Sequence, residues 1–248
     1  MNLHSRSLIP SIDSTIDVPV EKDKAVDDAL AFYKNIPGHI WKFAIPKDVW
    51  HPRILPSLSP VQIDQVVQRI IAEMPEEHIL NKMTGVYLTQ LIQKSYNSGN
   101  NGFMIHTQNV PLETLGYSFK GCVASDYFLT GPEATPLHLT IYGDTGANTL
   151  SESIGVDLVV YGCLGADYLH NARSCRATIF GTPKNISEAF RHVTLKMTDE
   201  EIFNKYKQNW YKQTFSRRVP AQGRRFDKNS NKFILIDDAG KELEAFEQ

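Results

Sequence analysis

Residues 137–150 read LHLTIYGDTGANTL and residues 156–169 read VDLVVYGCLGADYL, and the two segments match along most of their length. Each places a short apolar stretch before a glycine, Gly143 or Gly162, and Gly181 follows after the same interval of 19 residues. The segment therefore contains an internal repeat. A unit this short can bury its apolar side only by stacking on its neighbours, so the repeat predicts a solenoid.

The repeat also predicts which side chains point inward. Side chains alternate along a strand, so the aliphatic positions of each unit face the interior and the intervening positions face outward. An earlier stretch ending at Gly121 aligns as the first unit, with Tyr117 beside Leu139 and Phe119 beside Ile141. Each glycine is expected at a corner, where a missing Cβ lets the backbone bend or adopt positive φ.

The segments 143–148 (GDTGAN) and 162–167 (GCLGAD), each followed by a short strand and another glycine, resemble a known glycine repeat. It is that of the glutamate synthase C-terminal domain and of the C subunit of formylmethanofuran dehydrogenase. The third glycine of that motif is here Leu150 or Leu169. The resemblance covers residues 117–181 and implies a right-handed parallel β-helix that serves as a scaffold. It carries over no catalytic residue.

Together, repeat and resemblance predict an α+β protein with a short right-handed parallel β-helix of about three to five coils. The β-helix is assigned to residues 100–183, after a mainly helical region, 1–99, and before a C-terminal helix and hairpin region, 184–248. The ends of a solenoid expose an apolar cross-section and unpaired strand edges. Both flanking regions are therefore expected to provide helical caps.

Three helices are predicted before the repeat. Apolar residues recur at helical spacing over residues 21–35, and a second helix begins at Ser59-Pro60-Val61-Gln62 and ends before Pro75. That start combines a cap, a first-turn proline and a reciprocal glutamine. A third helix is expected over residues 76–96, followed by a strand within residues 100–107.

After the repeat, residues 185–188 predict a short helix and residues 198–201 open a longer one. The second helix carries Ile202, Tyr206 and Trp210 on one stripe. Residues 232–243 predict a hairpin about Asp238-Ala239-Gly240.

Composition limits the functional classes. With 26 basic and 28 acidic residues the formal net charge is −2, which gives no reason to expect nucleic acid as a partner. No apolar run approaches the length of a membrane span, and the N-terminal sequence does not predict a secretory signal. The three cysteines form no Cys-x-x-Cys pair, so we expect free thiols and a cytoplasmic location. Neither a cofactor nor a metal is predicted.

The outward column Tyr142, Tyr161 and Phe180 is the first candidate binding site. Three stacked rings can form a platform for a sugar, a base or another protein. The alternative is internal packing, since aromatic ladders stabilise neighbouring strands and a terminal helix can cover them.

A second candidate site is the arginine cluster in the C-terminal region. Such clusters bind phosphate or RNA backbone or dock on an acidic partner, and many are simply solvated. Its members are Arg217, Arg218, Arg224 and Arg225.

Two further columns have mainly structural interpretations. His138, Asp157 and Arg176 fall in one outward column, which favours a surface charge ladder over a general base. Asp126, Asn148 and Asp167 share a corner, which favours hydrogen bonds to the turn over a cation site. Asp144 and Glu152 are weaker candidates for acid and base chemistry on polysaccharides.

Three functions remain open. The first, and the favoured one, is a non-catalytic scaffold or oligomerising subunit that binds a protein partner or itself. The second is an enzyme acting on a carbohydrate or another small substrate beside the β-helix. The third is an accessory protein that binds phosphate or nucleic acid through the arginine cluster. No catalytic residue is predicted, because the sequence lacks a phosphate loop, a dinucleotide fingerprint and a nucleophile elbow.

Overall fold

The structure, a computed structural model, describes residues 23–36, 55–79, 82–108, 110–116, 119, 135–184, 190–216 and 231–247. The helices are α1 (Lys24–Lys34), α2 (Pro60–Glu73), α3 (Glu76–Ile79), α4 (Lys82–Asn97) and α5 (Glu200–Ser216). The strands are β1 (Gly102–His106), β2 (Leu137–Tyr142), β3 (Val156–Val160), β4 (Arg176–Ile179), β5 (Thr194–Met197), β6 (Lys232–Ile236) and β7 (Glu242–Glu247).

One mostly parallel sheet contains all seven strands in sequence order, which confirms the mixed α+β class. Strands β1 to β6 run parallel, and β7 runs antiparallel to β6. In the middle of the sheet Leu139 pairs with Leu158, and Leu158 pairs with Ala177, at an interval of 19 residues each time. The predicted repeat is therefore the register of the sheet.

Two smaller parallel ladders keep the same register. The second ladder, which follows the strands, consists of Leu112, Thr145, Leu164 and Pro183, and the third ladder, which precedes them, consists of Ile154, Arg173 and Arg191. Thr145 donates its backbone N–H to the Cys163 carbonyl at 2.9 Å, and Gly155 donates to the Arg173 carbonyl at 3.1 Å. Residues 137–155 and 156–174, here called the two repeat units, thus contact each other along three stretches of backbone.

Close approach between repeat units explains the glycines. A Cβ added to Gly162 would lie under 3.0 Å from the backbone of Gly143, and one added to Gly181 would lie equally close to Gly162. Gly143 also has a φ of 122°, which other residues rarely adopt. Glycine is needed here mainly because the backbone of the preceding unit occupies the space of a side chain.

After these glycines the backbone enters the left-handed region at every second residue. Leu150 and Leu169 have φ values of 59° and 60°, so leucine adopts a glycine-like conformation where the resembling family has its third glycine. Both leucine side chains are almost completely buried, and their burial offsets the strain. The neighbouring left-handed residues are Asn148, Glu152, Asp167 and Asn171.

The interior of the sheet is lined by the predicted aliphatic columns. Burial alternates along β2 and β3, as expected for strands with one face turned inward. The two inward columns are Phe103, Leu139, Leu158, Ala177, Leu195 and Phe233, and Ile105, Ile141, Val160, Ile179, Met197 and Leu235.

Helix α2 covers the open edge of β1. Its N-terminus has the predicted capping box, with Ser59 and Gln62 bonded to each other's backbone. From α2, Asp64 Oδ1 accepts the His106 N–H at 2.8 Å and the Gln68 amide donates to the His106 carbonyl. These side chains satisfy backbone groups that an edge strand would otherwise leave unpaired.

At the opposite end, α5 and the β6–β7 hairpin pack together. Asp199 caps α5 by accepting the Ile202 N–H at 2.9 Å. The α5 residue Phe203 is buried and meets the Phe246 ring edge to face at 5.3 Å, and Phe246 stacks on Phe233 at 4.8 Å. The predicted hairpin is confirmed.

Two details of the predicted register are wrong. Leu139 and Ile141 pair with β1 rather than with Tyr117 and Phe119. Phe119 lies beside the third ladder, where its carbonyl accepts the Ile154 N–H at 2.7 Å. The repeat also continues past residue 181, because β5 pairs with β4 at an interval one residue shorter.

The predicted third helix is divided. Residues 76–79 form α3 and residues 82–97 form α4, so one continuous helix over residues 76–96 is not observed. The short helix predicted at residues 185–188 lies outside the described residues.

Candidate functional site

Four aromatic rings stack in one row on the outer face of the sheet. His106 stacks on Tyr142 at 5.0 Å, Tyr142 on Tyr161 at 5.1 Å, and Tyr161 on Phe180 at 4.9 Å. The interplanar angles are 12°, 6° and 4°, so the rings are nearly parallel. We call these four residues the ring row.

The register of the sheet produces the ring row. His106 pairs with Tyr142, and Tyr161 and Phe180 occupy the same position at the ends of the next two strands. Neighbouring strands lie about 4.8 Å apart, which is close to the stacking distance of aromatic rings. Outward aromatic side chains in this column therefore stack on one another.

The stacking determines which part of each ring meets the solvent. Tyr142 and Tyr161 are 36% and 42% exposed, so no terminal helix covers them. Their faces are occupied by neighbouring rings, and the outward surface consists of ring edges. The edge of an aromatic ring carries partial positive charge, and each tyrosine adds a hydroxyl. The row thus offers an apolar ridge lined with hydrogen-bonding groups.

His106 extends the predicted column at its N-terminal end. Its Nδ1 lies 2.9 Å from Asp64 Oδ2, while the other Asp64 oxygen accepts the His106 backbone N–H. Gln68 bonds the His106 carbonyl and accepts a hydrogen bond from Gln108. Sequence reasoning missed His106 because Lys120 was aligned in its place. The alternation in GFMIH, residues 102–106, is the signal that identifies it.

The predicted charge ladder forms on the same face. Arg176 Nε donates to Asp157 Oδ1 at 2.6 Å, and His138 Nδ1 lies 3.3 Å from Asp157 Oδ2. The hydrogen bond to Asp157, more than the accompanying Coulombic attraction, raises the pKa of the Arg176 guanidinium. Asp157 is thus held by both neighbours, which supports the structural interpretation of this column.

The corner carboxylates form no metal site among the described residues. Asn148 and Asp167 occupy equivalent left-handed positions, and Asp126 lies outside the described residues. Asp144 Oδ1 accepts the Cys163 backbone N–H at 2.7 Å, which joins one repeat unit to the next. Glu152 is exposed on a different corner.

The described cysteines are both free thiols. Cys163 is exposed and Cys175 is buried. Burial raises the pKa of the Cys175 thiol to about 11, so it stays protonated near neutral pH. Cys122 lies outside the described residues.

The predicted arginine cluster also lies outside the described residues; its members are Arg217, Arg218, Arg224 and Arg225. The structure therefore brings together Tyr142, Tyr161 and Phe180 and leaves the arginines without a described position. Within the part of the chain that is described, no helix is long and apolar enough to cross a membrane.

Comparison with known proteins identifies no relative. No protein family, curated protein or solved structure matches the chain. The resemblance to the glutamate synthase repeat therefore stays a prediction based on glycine spacing.

Proposed function

We propose that the protein is a non-catalytic scaffold whose ring row binds another subunit or a second copy of the chain. The observation that carries this proposal is the ring row itself, since Tyr142 and Tyr161 stay largely exposed on a regular sheet. Large aromatic side chains are enriched at protein interfaces because they supply contact area at a small entropic cost.

A right-handed parallel β-helix is the proposed form of this scaffold. Three parallel ladders that keep one interval support it, because a coil that passes three sheets per turn has that pattern. Its proposed role follows the scaffold domains of glutamate synthase-type complexes, which the glycine repeat resembles. A cytoplasmic location is part of the proposal.

The ring geometry favours a protein partner over a sugar or a base. Sugars and bases stack on the faces of aromatic rings. In the ring row the faces of Tyr142 and Tyr161 are occupied by their neighbours at 5.1 Å or less. Ring edges suit the irregular mixture of apolar and polar groups on a protein surface.

The rest of the sheet face has the composition of an interface. Next to the ring row lie the half-buried side chains Thr140, Val159 and Thr178, which leave the surface nearly flat. The charge ladder around Asp157 borders the opposite side. Protein interfaces commonly have an apolar centre with a polar rim.

Replacement of Tyr161 by alanine tests the proposal. If the ring row is an interface, Tyr161→Ala should lose the assembly that the purified wild-type chain forms. The free energy of unfolding should fall by only about 1–2 kcal/mol, because the ring is half exposed and loses two stacking contacts. Light scattering measures the assembly and a urea melt measures the stability.

Leu243→Ala is the matched control, since Leu243 is 60% exposed on β7, away from the ring row. This variant should keep the wild-type mass. A wild-type chain that stays monomeric, or a Tyr161→Ala chain with unchanged mass, would argue against self-association through this face.

A further inference from the structure

Two arginines lie side by side on the third ladder. Arg173 and Arg191 are parallel bridge partners, held by hydrogen bonds of 2.9 Å from Arg191 N–H to the Ala172 carbonyl and 3.1 Å from Ser174 N–H to the Arg191 carbonyl. Bridge partners on a parallel ladder lie about 4.8 Å apart and direct their side chains to the same side. Both arginines are exposed.

Neither guanidinium is neutralised by the described part of the chain. No ion pair or side-chain hydrogen bond of Arg173 or Arg191 occurs among the described residues, and their ladder neighbour is the apolar Ile154. Arg176 behaves differently, because Asp157 binds its guanidinium through both carboxylate oxygens. The chain thus pairs one arginine of this region and leaves two adjacent ones available.

Like charges placed directly beside each other on a ladder are destabilising. A bound anion removes that repulsion, and two guanidiniums can direct several N–H donors at one group of oxygens. We propose that Arg173 and Arg191 bind a single phosphoryl group. The formal net charge of −2 gives no field that would attract a long polyanion, so a small phosphorylated molecule fits better than nucleic acid.

This site is separate from the ring row. The third ladder precedes the strands of the sheet, whereas Tyr142, Tyr161 and Phe180 follow them. The two sites therefore lie at opposite ends of the strands. Phosphoryl binding does not depend on the proposed scaffold function, and either proposal can fail without the other.

Thermal unfolding in phosphate tests the site. The midpoint of the wild-type chain should rise with inorganic phosphate and saturate, relative to chloride at equal ionic strength. Arg173→Gln and Arg191→Gln should each weaken the apparent phosphate affinity by about tenfold or more, since each removes a charge-assisted contact. The double variant should show no saturable shift.

Lys184→Gln is the matched control, because it removes one exposed positive charge from the end of the second ladder. It should keep the wild-type response to phosphate. A wild-type chain without a phosphate-specific shift, or a double variant that keeps the shift, would overturn the proposal.

Two further measurements sharpen the result. In low salt without phosphate, each single arginine variant should unfold at a midpoint equal to or above that of the wild type, because a repulsion has been removed. A lower midpoint in both would show that the arginines are structural and overturn the proposal. Glycerol 2-phosphate distinguishes the source: a response to this monoester indicates a phosphorylated metabolite, and a response to inorganic phosphate alone indicates the free ion.

Discussion

The middle of the sheet and its two ends are held together in different ways. Between β2 and β4 the backbone of one repeat unit rests on the next, and Gly143 and Gly162 leave no room for a side chain there. At the ends the contacts come from side chains: Asp64 bonds the edge of β1, and Phe203 covers the hairpin. The middle therefore depends on backbone fit, and the ends depend on the helices that cover them.

Gly162→Val should produce the largest effect that follows from this comparison. The new side chain would collide with the Gly143 carbonyl, so the two repeat units would have to separate. We expect a loss of more than about 2 kcal/mol in the free energy of unfolding, measured by urea denaturation.

Gly102→Ala is the corresponding change at the end of the sheet. A Cβ at Gly102 meets nothing within 4 Å, so the variant should stay within about 0.5 kcal/mol of the wild type. Equal losses for the two variants would contradict the distinction between backbone contact in the middle and side-chain contact at the ends.

A pair of buried tyrosines gives the second prediction. In the helical region Tyr87 donates its hydroxyl to the Ala29 carbonyl at 2.7 Å, whereas the buried hydroxyl of Tyr168 in the second repeat unit has no hydrogen-bond partner. Burial raises the pKa values of both hydroxyls, which stay protonated. Tyr87→Phe should cost about 1–2 kcal/mol, while Tyr168→Phe should leave stability unchanged or slightly increase it.

Calorimetric melts of both variants measure this difference. If Tyr168→Phe costs as much as Tyr87→Phe, the Tyr168 hydroxyl is bonded in solution, for example to an internal water.

The smallest predicted effect concerns the left-handed corners. Ser174 has a φ of 51° at the position where the preceding repeat unit has Gly155, with a φ of 66°. Ser174→Gly should relieve this strain and raise the free energy of unfolding by about 0.5 kcal/mol, after the entropic cost of glycine is subtracted.

Asp238→Gly provides the contrast, since Asp238 is exposed in the β6–β7 turn and does not have a positive φ. It should lose about 0.5 kcal/mol through the added freedom of the unfolded chain. A stabilised Asp238 variant together with a destabilised Ser174 variant would reverse the expected order. Differential scanning calorimetry resolves changes of this size.

The middle of the sheet was predictable because its information is local. The interval between Gly143 and Gly162 states the register directly, and the alternation within β2 and β3 states which side chains are buried. The start of α2 was predictable for the same reason, since Ser59 and Gln62 make their bonds within one helical turn.

The ends were not predictable in this way. Leu139 pairs with Phe103 across a long connection, and Phe119, which has the right residue type, lies on another ladder. That choice depends on how α2 packs against β1, which no local pattern encodes. Strand β5 lacks the glycine that marks the other units, and its shorter interval places it out of phase with them.

The candidate sites divide similarly. Tyr142, Tyr161 and Phe180 follow the glycine spacing, so their column was visible in the sequence. His106 joins them only through the long connection. Arg173 and Arg191 become neighbours through the shortened interval, so a fixed repeat length does not align them.

The stacked glycines also bear on how such a chain can grow. Gly162 receives the backbone of Gly143 on one side and presents the same kind of surface to Gly181 on the other. A tandem duplication of the gene segment for residues 156–174 would therefore insert a layer that fits both of its neighbours. Lengthening by recombination would preserve the reading of the fold, and proteins of different heights could descend from one ancestral segment.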